Sequence, residues 1–193
     1  MNISRFDYRF WAISLVLGQL LLAATSFFWK SNGRYSVNGG TLMELSMLFW
    51  AIGMMGLFDV LKEKTPFYAR LGLLYAMYGI FGGVAFAFEG VYSEIFNVSD
   101  KIGAEAHQLF STQMNILLFW SGPAFPLSLL ILGIVYIRTK SFSRWVGALM
   151  ALGAVAFPLS RISRTLWIAH LSDLLLLLPV CLIAYSFWTK NKP

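Results

Sequence analysis

Six apolar segments, each long enough to cross a lipid bilayer, dominate the sequence. They lie at 10–29, 42–61, 71–91, 112–137, 145–162 and 165–188. An α-helix needs about 20 mainly apolar residues to span a hydrocarbon core of about 30 Å, and the residue alternation typical of membrane β-strands is absent. We therefore expect an all-α integral membrane protein in which residues 1–193 form a single domain, a six-helix transmembrane bundle.

The amino-acid composition favours a membrane protein over a soluble one. Hydrophobic residues make up 58% of the 193 residues and charged residues only 12%, whereas soluble chains carry about a quarter charged residues. The formal net charge of +6 would suggest a nucleic-acid partner in a soluble protein. In a membrane protein, the distribution of basic residues between the two sides of the bilayer explains the same excess.

The basic residues predict the orientation of the helices, because cytoplasmic loops of membrane proteins are enriched in Lys and Arg. With the N-terminus inside, ten basic residues are cytoplasmic and five are external, and the opposite topology would reverse the ratio. The ten are Arg5, Arg9, Lys62, Lys64, Arg70, Arg138, Lys140, Arg144, Lys190 and Lys192. We expect both termini in the cytoplasm, the plasma (inner) membrane as the location, the lipid bilayer as a partner and no role for nucleic acid.

The first apolar segment has some features of a secretory signal peptide. It follows a basic start and contains small residues at Ala23 and Ala24, as a cleavage site would. Its apolar run continues to Trp29, however, and further apolar segments follow. We interpret it as a retained first helix, with cleavage as the alternative.

Charged residues are concentrated next to the last apolar segment, in the stretch RISRTLWIAHLSD. This stretch contains Arg161, Arg164, His170 and Asp173. The preceding helix has only 15 apolar or small residues, 145–159, which would span about 22 Å at 1.5 Å per residue and are too short for the hydrocarbon core. Either the bilayer is thinner there and the arginines extend to its surface, or the turn between the fifth and sixth helices lies below the outer surface. A charge in that position needs a partner, access to water or a function.

Further polar residues are predicted on the same side of the membrane. Glu44 lies near the start of the second helix, Glu89 closes the third, and His107 lies in an external loop. His170 and Asp173 are three residues apart and are expected to share one face of the sixth helix. We predict that these groups and the arginines surround a polar pocket that opens outward. The alternative is a purely structural ion pair between the first arginine and Asp173.

Two prolines interrupt the fourth predicted helix. Pro123 and Pro126 lack the N–H groups that would bond to carbonyls one turn earlier, which are those of Phe119 and Gly122. Within a membrane, carbonyls freed in this way need other partners or a cavity that they can line. The prolines therefore indicate a kink that could open a cavity.

Three classes of function are consistent with these features. The pocket could bind, and also transport or modify, a small anionic or amphipathic, lipid-like ligand through Arg161 and Arg164; this class best explains the clustering. The protein could instead be a non-catalytic subunit or assembly factor with membrane-protein partners, or it could hold haem or zinc through His107 and His170. The motifs HExxH, GxSxG and GxxxxGK[ST] are absent, so the sequence leaves open whether the protein is an enzyme.

Overall fold

The computed structural model describes residues 4–30 and 34–189, apart from the side chain of Asp100, and this part of the chain is helical without a β-strand. Lys190 and Lys192, two of the basic residues used to predict orientation, lie outside the described residues. The α-helices are α1 Arg5–Thr25, α2 Val37–Asp59, α3 Pro66–Ile95, α4 Asp100–Leu109, α5 Ser111–Met114, α6 Ser121–Thr139, α7 Arg144–Ser163 and α8 Leu166–Thr189.

Six helical segments are long and apolar enough to cross a membrane. Five of them are α1, α2, α3, α7 and α8. The remaining one, Ser111–Thr139, is composite: α5 is followed by a π-helix, Asn115–Phe119, and then by α6. The predicted all-α bundle of six long apolar helices is confirmed at this level.

Capping residues make several helices longer than their apolar segments. α1 begins at Arg5 rather than near residue 10, because Ser4 and Asp7 form a reciprocal capping box. α2 begins at Val37 rather than near residue 42, because the Ser36 hydroxyl accepts a hydrogen bond from the Gly39 N–H at 3.1 Å. These first turns are polar and were missed by a search for apolar residues alone. The short helix α4, capped by Ser99, was missed for the same reason.

The six long helices form a closed ring. Each packs against two others, in the cyclic order α1, α2, α3, α6, α7 and α8, and α8 packs against α1. Glycines allow the closest approaches between neighbours: a Cβ atom on Gly133 of α6 would lie only 2.6 Å from the Gly147 carbonyl oxygen of α7. At Gly79 of α3, a Cβ atom would overlap the backbone of Phe125 in α6. The helix order is therefore maintained by backbone-to-backbone packing.

One end of the ring, here called the Arg9 end, contains both described chain termini. The Arg9 guanidinium lies 4.9 Å from the centre of the Trp188 ring, and the Lys64 ammonium donates a hydrogen bond to the Thr139 carbonyl at 2.9 Å. The opposite end, the Arg161 end, contains the turn between α7 and α8 and the segment around Trp29. The two ends correspond to the two membrane faces in the predicted topology.

Large apolar side chains cover the outer surface of the ring. On α7 the exposed ones are Trp145, Leu152, Val155, Leu159 and Ile162, which recur every three to seven residues and so form one stripe along the helix. A soluble protein seldom exposes so continuous an apolar surface. This surface is suited to contact with lipid.

Candidate functional site

A cavity of about 660 Å³ lies between α2, α3, α6 and α7 in the half of the ring nearest the Arg161 end. Cavities that bind small molecules usually measure about 300–1,000 Å³. Its lining is almost entirely apolar: Met43 and Met47 come from α2, Phe86 from α3, and Phe157 from α7. The lining contains two charged side chains, those of Arg161 and Arg164.

Broken helical hydrogen bonding borders this cavity. The Trp120 N–H bonds to the Asn115 carbonyl at 2.8 Å, five residues earlier instead of four. Pro123 and Pro126 follow directly and line the cavity, as does Pro158 of α7. The sequence indicated the helix irregularity from the two prolines of α6, and a cavity lies at that position. The π-helix could not be recognised from the sequence because nothing in it marks a five-residue hydrogen bond.

The first charged group, Arg161, lies in the last turn of α7 and contacts Asp173 of α8. Its Nη2 atom is 3.0 Å from Asp173 Oδ1, and the side chains are only 12% and 4% exposed. The guanidinium carbon also lies 4.6 Å from the centre of the Phe157 ring and 5.1 Å from that of Trp29. This buried pair joins α7 to α8, and aromatic faces complement the remaining surface of the cation.

The second charged group, Arg164, ends α7 in a left-handed backbone conformation with φ of 51°. Its guanidinium carbon lies 4.7 Å from the centre of the Trp29 ring and 5.4 Å from that of Tyr35. No described carboxylate forms an ion pair with it. Burial, with a further contribution from the nearby Arg161 charge, lowers the pKa of Arg164, although an arginine remains a cation in proteins.

Several polar atoms around the two arginines are buried without a hydrogen-bond partner among the described residues. They are Arg161 Nε, Arg164 Nη1 and Asp173 Oδ2. Buried polar atoms are nearly always hydrogen-bonded, and an unpaired one costs free energy. The two arginines and Asp173 together carry one net positive charge. The site therefore offers unused N–H donors and a positive charge to a group with negative charge.

Asp173 is held in position from a second side. The Gln19 side chain of α1 donates a hydrogen bond to the Asp173 backbone carbonyl at 3.1 Å, and both residues are buried. Contacts from α1 and α7 therefore converge on the same turn of α8.

His170 and Asp173 lie close together on α8, as expected from their spacing, but they differ in burial. Asp173 is buried, whereas His170 is exposed and its ring lies 4.8 Å from the ring of Phe27. Three helical residues cover about 300° of rotation, so the two side chains differ by about 60° in direction. The boundary between the buried and exposed faces of α8 runs between them.

The other predicted site residues also lie outside the lining of the cavity. Glu44 is half-buried on α2. Glu89 on α3 has its Oε1 atom 3.7 Å from Nη2 of Arg34. His107 on α4 packs its ring 4.9 Å from that of Phe119. Of the seven predicted residues, only Arg161, Arg164 and Asp173 are near one another at the cavity.

The histidines do not assemble with other potential metal ligands. His107 and His170 pack against different aromatic rings, those of Phe119 and Phe27. Within residues 4–30 and 34–189, no three His, Cys, Asp or Glu side chains are grouped so that they could hold a metal ion. The geometry gives the haem and zinc hypotheses no support.

Sequence reasoning did not include Trp29 and Tyr35 in the site. An isolated antiparallel bridge pairs these residues, and their rings cover Arg164. Trp29 lies at the end of the first apolar segment, a position typical of aromatic residues at the membrane interface. Neither its contact with both arginines nor its pairing with Tyr35 has a local sequence signal.

Comparison of the chain with models of protein families, with curated proteins and with solved structures gives no match. The cavity and its two arginines are therefore the features that bear on function.

Proposed function

We propose that the protein is a multi-pass membrane protein that binds an anionic amphipathic ligand in the cavity between α2, α3, α6 and α7. The negatively charged head group contacts Arg164 and the free Nε atom of Arg161, and the apolar part of the ligand lies along α6 and α7. The observation that carries this proposal is the half-buried Arg164 side chain, which borders an apolar cavity, has no described acidic partner and holds a buried Nη1 atom without a hydrogen-bond partner.

Membrane insertion is part of the proposal. It is supported by the length and apolar character of the six helices and by the apolar outer surface of the ring. The excess of basic residues at the Arg9 end supports a cytoplasmic position for that end and for both termini, and the plasma (inner) membrane is the membrane proposed. The Arg161 end and its cavity then lie in the outer leaflet.

The chemistry of the lining favours binding of an anion over covalent catalysis. Hydrogen bonds between a guanidinium and a carboxylate, sulfate or phosphate are charge-assisted and strong, and a low-dielectric cavity increases their strength. The described lining contains no Ser, Cys, His, Asp or Glu side chain that could act as a nucleophile or base. Asp173 contributes indirectly, because its ion pair with Arg161 orients that guanidinium.

Thermal unfolding of the purified protein in an uncharged detergent tests the proposal. Oleate carries a long apolar chain and a carboxylate, whereas oleyl alcohol has the same chain without the charge. We expect oleate to raise Tm much more than oleyl alcohol, since a ligand at 100 times its Kd stabilises the native state by about 2.7 kcal/mol. Equal effects of the two compounds would show that the arginines do not recognise the head group.

Substitution of Arg164 provides the matched test of the site. Arg164→Gln removes the unpaired charge, and we expect oleate to bind at least about tenfold more weakly, because a charge-assisted hydrogen bond contributes about 1.5–3 kcal/mol. Arg138→Gln makes the same change at an exposed position at the Arg9 end and should leave the Kd unchanged. Unaltered oleate binding by Arg164→Gln would contradict the proposed site.

A further inference from the structure

The walls of the cavity differ in their exposure. The lining residues from α2 and α3, such as Met43, Met47 and Gly83, are buried or half-buried. All exposed lining residues belong to the π-helix, α6 or α7. They are Phe119, Pro123, Leu127, Val155, Leu159 and Ile162. The cavity therefore has one exposed side, which lies between α6 and α7.

This exposed side belongs to the apolar outer surface of the ring. Val155, Leu159 and Ile162 continue the stripe of α7 that begins with Trp145 and Leu152. On α6, Leu127 shares an exposed face with Ile131. In a membrane, the opening between the two helices would face lipid.

Glycines bring α6 and α7 into close contact at one end of the cavity. Toward the Arg9 end, the approach of Gly133 to Gly147 leaves no room even for a methyl group. Toward the Arg161 end, Pro123, Pro126 and Pro158 border the space between the helices. The gap between α6 and α7 is therefore closed at the glycines and accessible near the prolines.

Aromatic rings cover the arginines at the end of the cavity. The Trp29 ring lies beside both guanidinium groups, and Tyr35, which is 7% exposed, lines the cavity next to Arg164. Tyr35 is itself packed closely against Gly90 of α3, where a Cβ atom would lie 2.9 Å from the Tyr35 carbonyl oxygen. Two aromatic rings thus lie over the arginines at the end of the cavity that would face the external solution.

We infer that the ligand enters sideways from the bilayer, between the outer halves of α6 and α7, and that it is an anionic lipid resident in the membrane. This inference rests on the proposed function. A lipid of the outer leaflet holds its head group at the depth of Arg164 while its chain lies beside Leu159 and Leu127. Lateral entry keeps the chain in apolar surroundings throughout, whereas entry from water would expose it to solvent.

The test measures how fast bound lipid exchanges. The protein is placed in nanodiscs of phosphatidylcholine, which has no net charge, together with oleate. Perdeuterated oleate is added from a second set of discs, and native mass spectrometry follows the replacement. In Leu127→Trp/Leu159→Trp, bulky side chains obstruct the opening. We expect exchange about tenfold slower than in the wild type, with oleate occupancy at equilibrium nearly unchanged, because an obstructed entrance slows association and dissociation alike.

A matched control distinguishes obstruction from a general effect of added tryptophan. Ile131→Trp/Leu152→Trp alters the same two helix faces at similarly exposed residues that do not line the cavity, and it should exchange oleate at the wild-type rate. A wild-type rate in the Leu127→Trp/Leu159→Trp variant would overturn lateral entry.

A second variant keeps the test decisive should the obstructed protein fail to fold. Phe119→Ala removes an exposed aromatic side chain from the opening, and we expect exchange about threefold or more faster than in the wild type. An unchanged or slower exchange rate would count against the opening as the route.

An anion dissolved in water tests the other source of the ligand. We use 6,6,6-trifluorohexanoate and observe the width of its fluorine resonance in the presence of the protein. Lateral entry predicts no broadening that depends on Arg164, because aromatic rings lie over the arginines at the aqueous end of the cavity. Broadening that is lost in Arg164→Gln but retained in Leu127→Trp/Leu159→Trp would show entry from water.

The two proposals fail in different ways. If the wild type holds no oleate, or if Arg164→Gln retains the same occupancy, the proposed function is wrong. If oleate occupancy depends on Arg164 but the substitutions at the opening do not change the rate of oleate exchange, the proposed binding site is retained and the lateral route is wrong.

Discussion

At the scale of single residues, the environment of each charge determines its role more than its residue type does. Arg161 is paired with Asp173 at 3.0 Å, whereas Arg164, three positions later, packs against aromatic rings and has a buried unpaired nitrogen. The sequence identified both arginines and Asp173 because charges are rare in apolar segments. It also suggested Arg161 as the partner of Asp173, and this ion pair is present; the distance between the two groups depends on the relative rotation of α7 and α8.

Removal of either partner of the buried ion pair should destabilise the protein. Asp173→Asn leaves a buried Arg161 charge without compensation, and we expect a loss of about 3 kcal/mol in the free energy of unfolding. Replacement of both residues, in Arg161→Met/Asp173→Asn, should cost less than the sum of the single changes. A double-mutant cycle measured by unfolding in detergent quantifies this coupling, and strictly additive losses would argue against an energetic pair.

At the scale of the helices, the residues that start a helix can be recognised from the sequence, whereas the close packing of two helices cannot. Ser4 and Ser36 start α1 and α2 through side-chain caps, and such caps are recognisable from the sequence once polar first turns are considered. The contact of Gly133 with Gly147 joins two helices, and no local sequence signal identifies the partner of a glycine. The importance of a glycine therefore becomes evident only when its neighbour is known.

Two glycine-to-alanine substitutions should have opposite effects. In Gly133→Ala the new methyl group would lie 2.6 Å from the Gly147 carbonyl oxygen, so α6 and α7 must separate, and we expect a loss of about 2 kcal/mol. In Gly103→Ala, on α4, the nearest atom is the end of the flexible Arg34 side chain at 3.3 Å, and alanine should stabilise that helix by about 0.5–1 kcal/mol. Unfolding free energies measure both; similar losses would contradict the proposed helix contact.

At the scale of the whole molecule, the ring brings together residues that are far apart in sequence. The cavity takes its lining from Tyr35, α2, α3, the π-helix, α6 and the α7–Arg164 region. The sequence predicted a polar pocket that opens outward. The observed cavity is instead apolar, with arginines at one end and an exposed side between two helices. The difference arises because most of the predicted polar residues lie on other faces of their helices.

Labelling in intact cells tests the proposed orientation of the molecule. In a Cys181→Ser background, Lys101→Cys places a thiol at an exposed position on α4, near the Arg161 end, and Ser143→Cys places one between α6 and α7 at the Arg9 end. A maleimide that cannot cross membranes should modify Lys101→Cys in intact cells and Ser143→Cys only after lysis. The reverse pattern would invert the orientation derived from the basic residues.

The sequence alone determined the number of long helices, their apolar character, the position of the prolines beside the cavity and the presence of charged residues next to apolar segments. These features depend on hydropathy, segment length and backbone chemistry, which act over one or two helical turns. The ring order, the pairing of Arg161 with Asp173, the outward direction of His170 and the cover of Trp29 and Tyr35 over Arg164 depend on contacts between distant segments. Those contacts arise from the rotation and spacing of neighbouring helices, and identical local patterns are compatible with several such arrangements. The cavity exists because its walls come from four helices packed in one particular order.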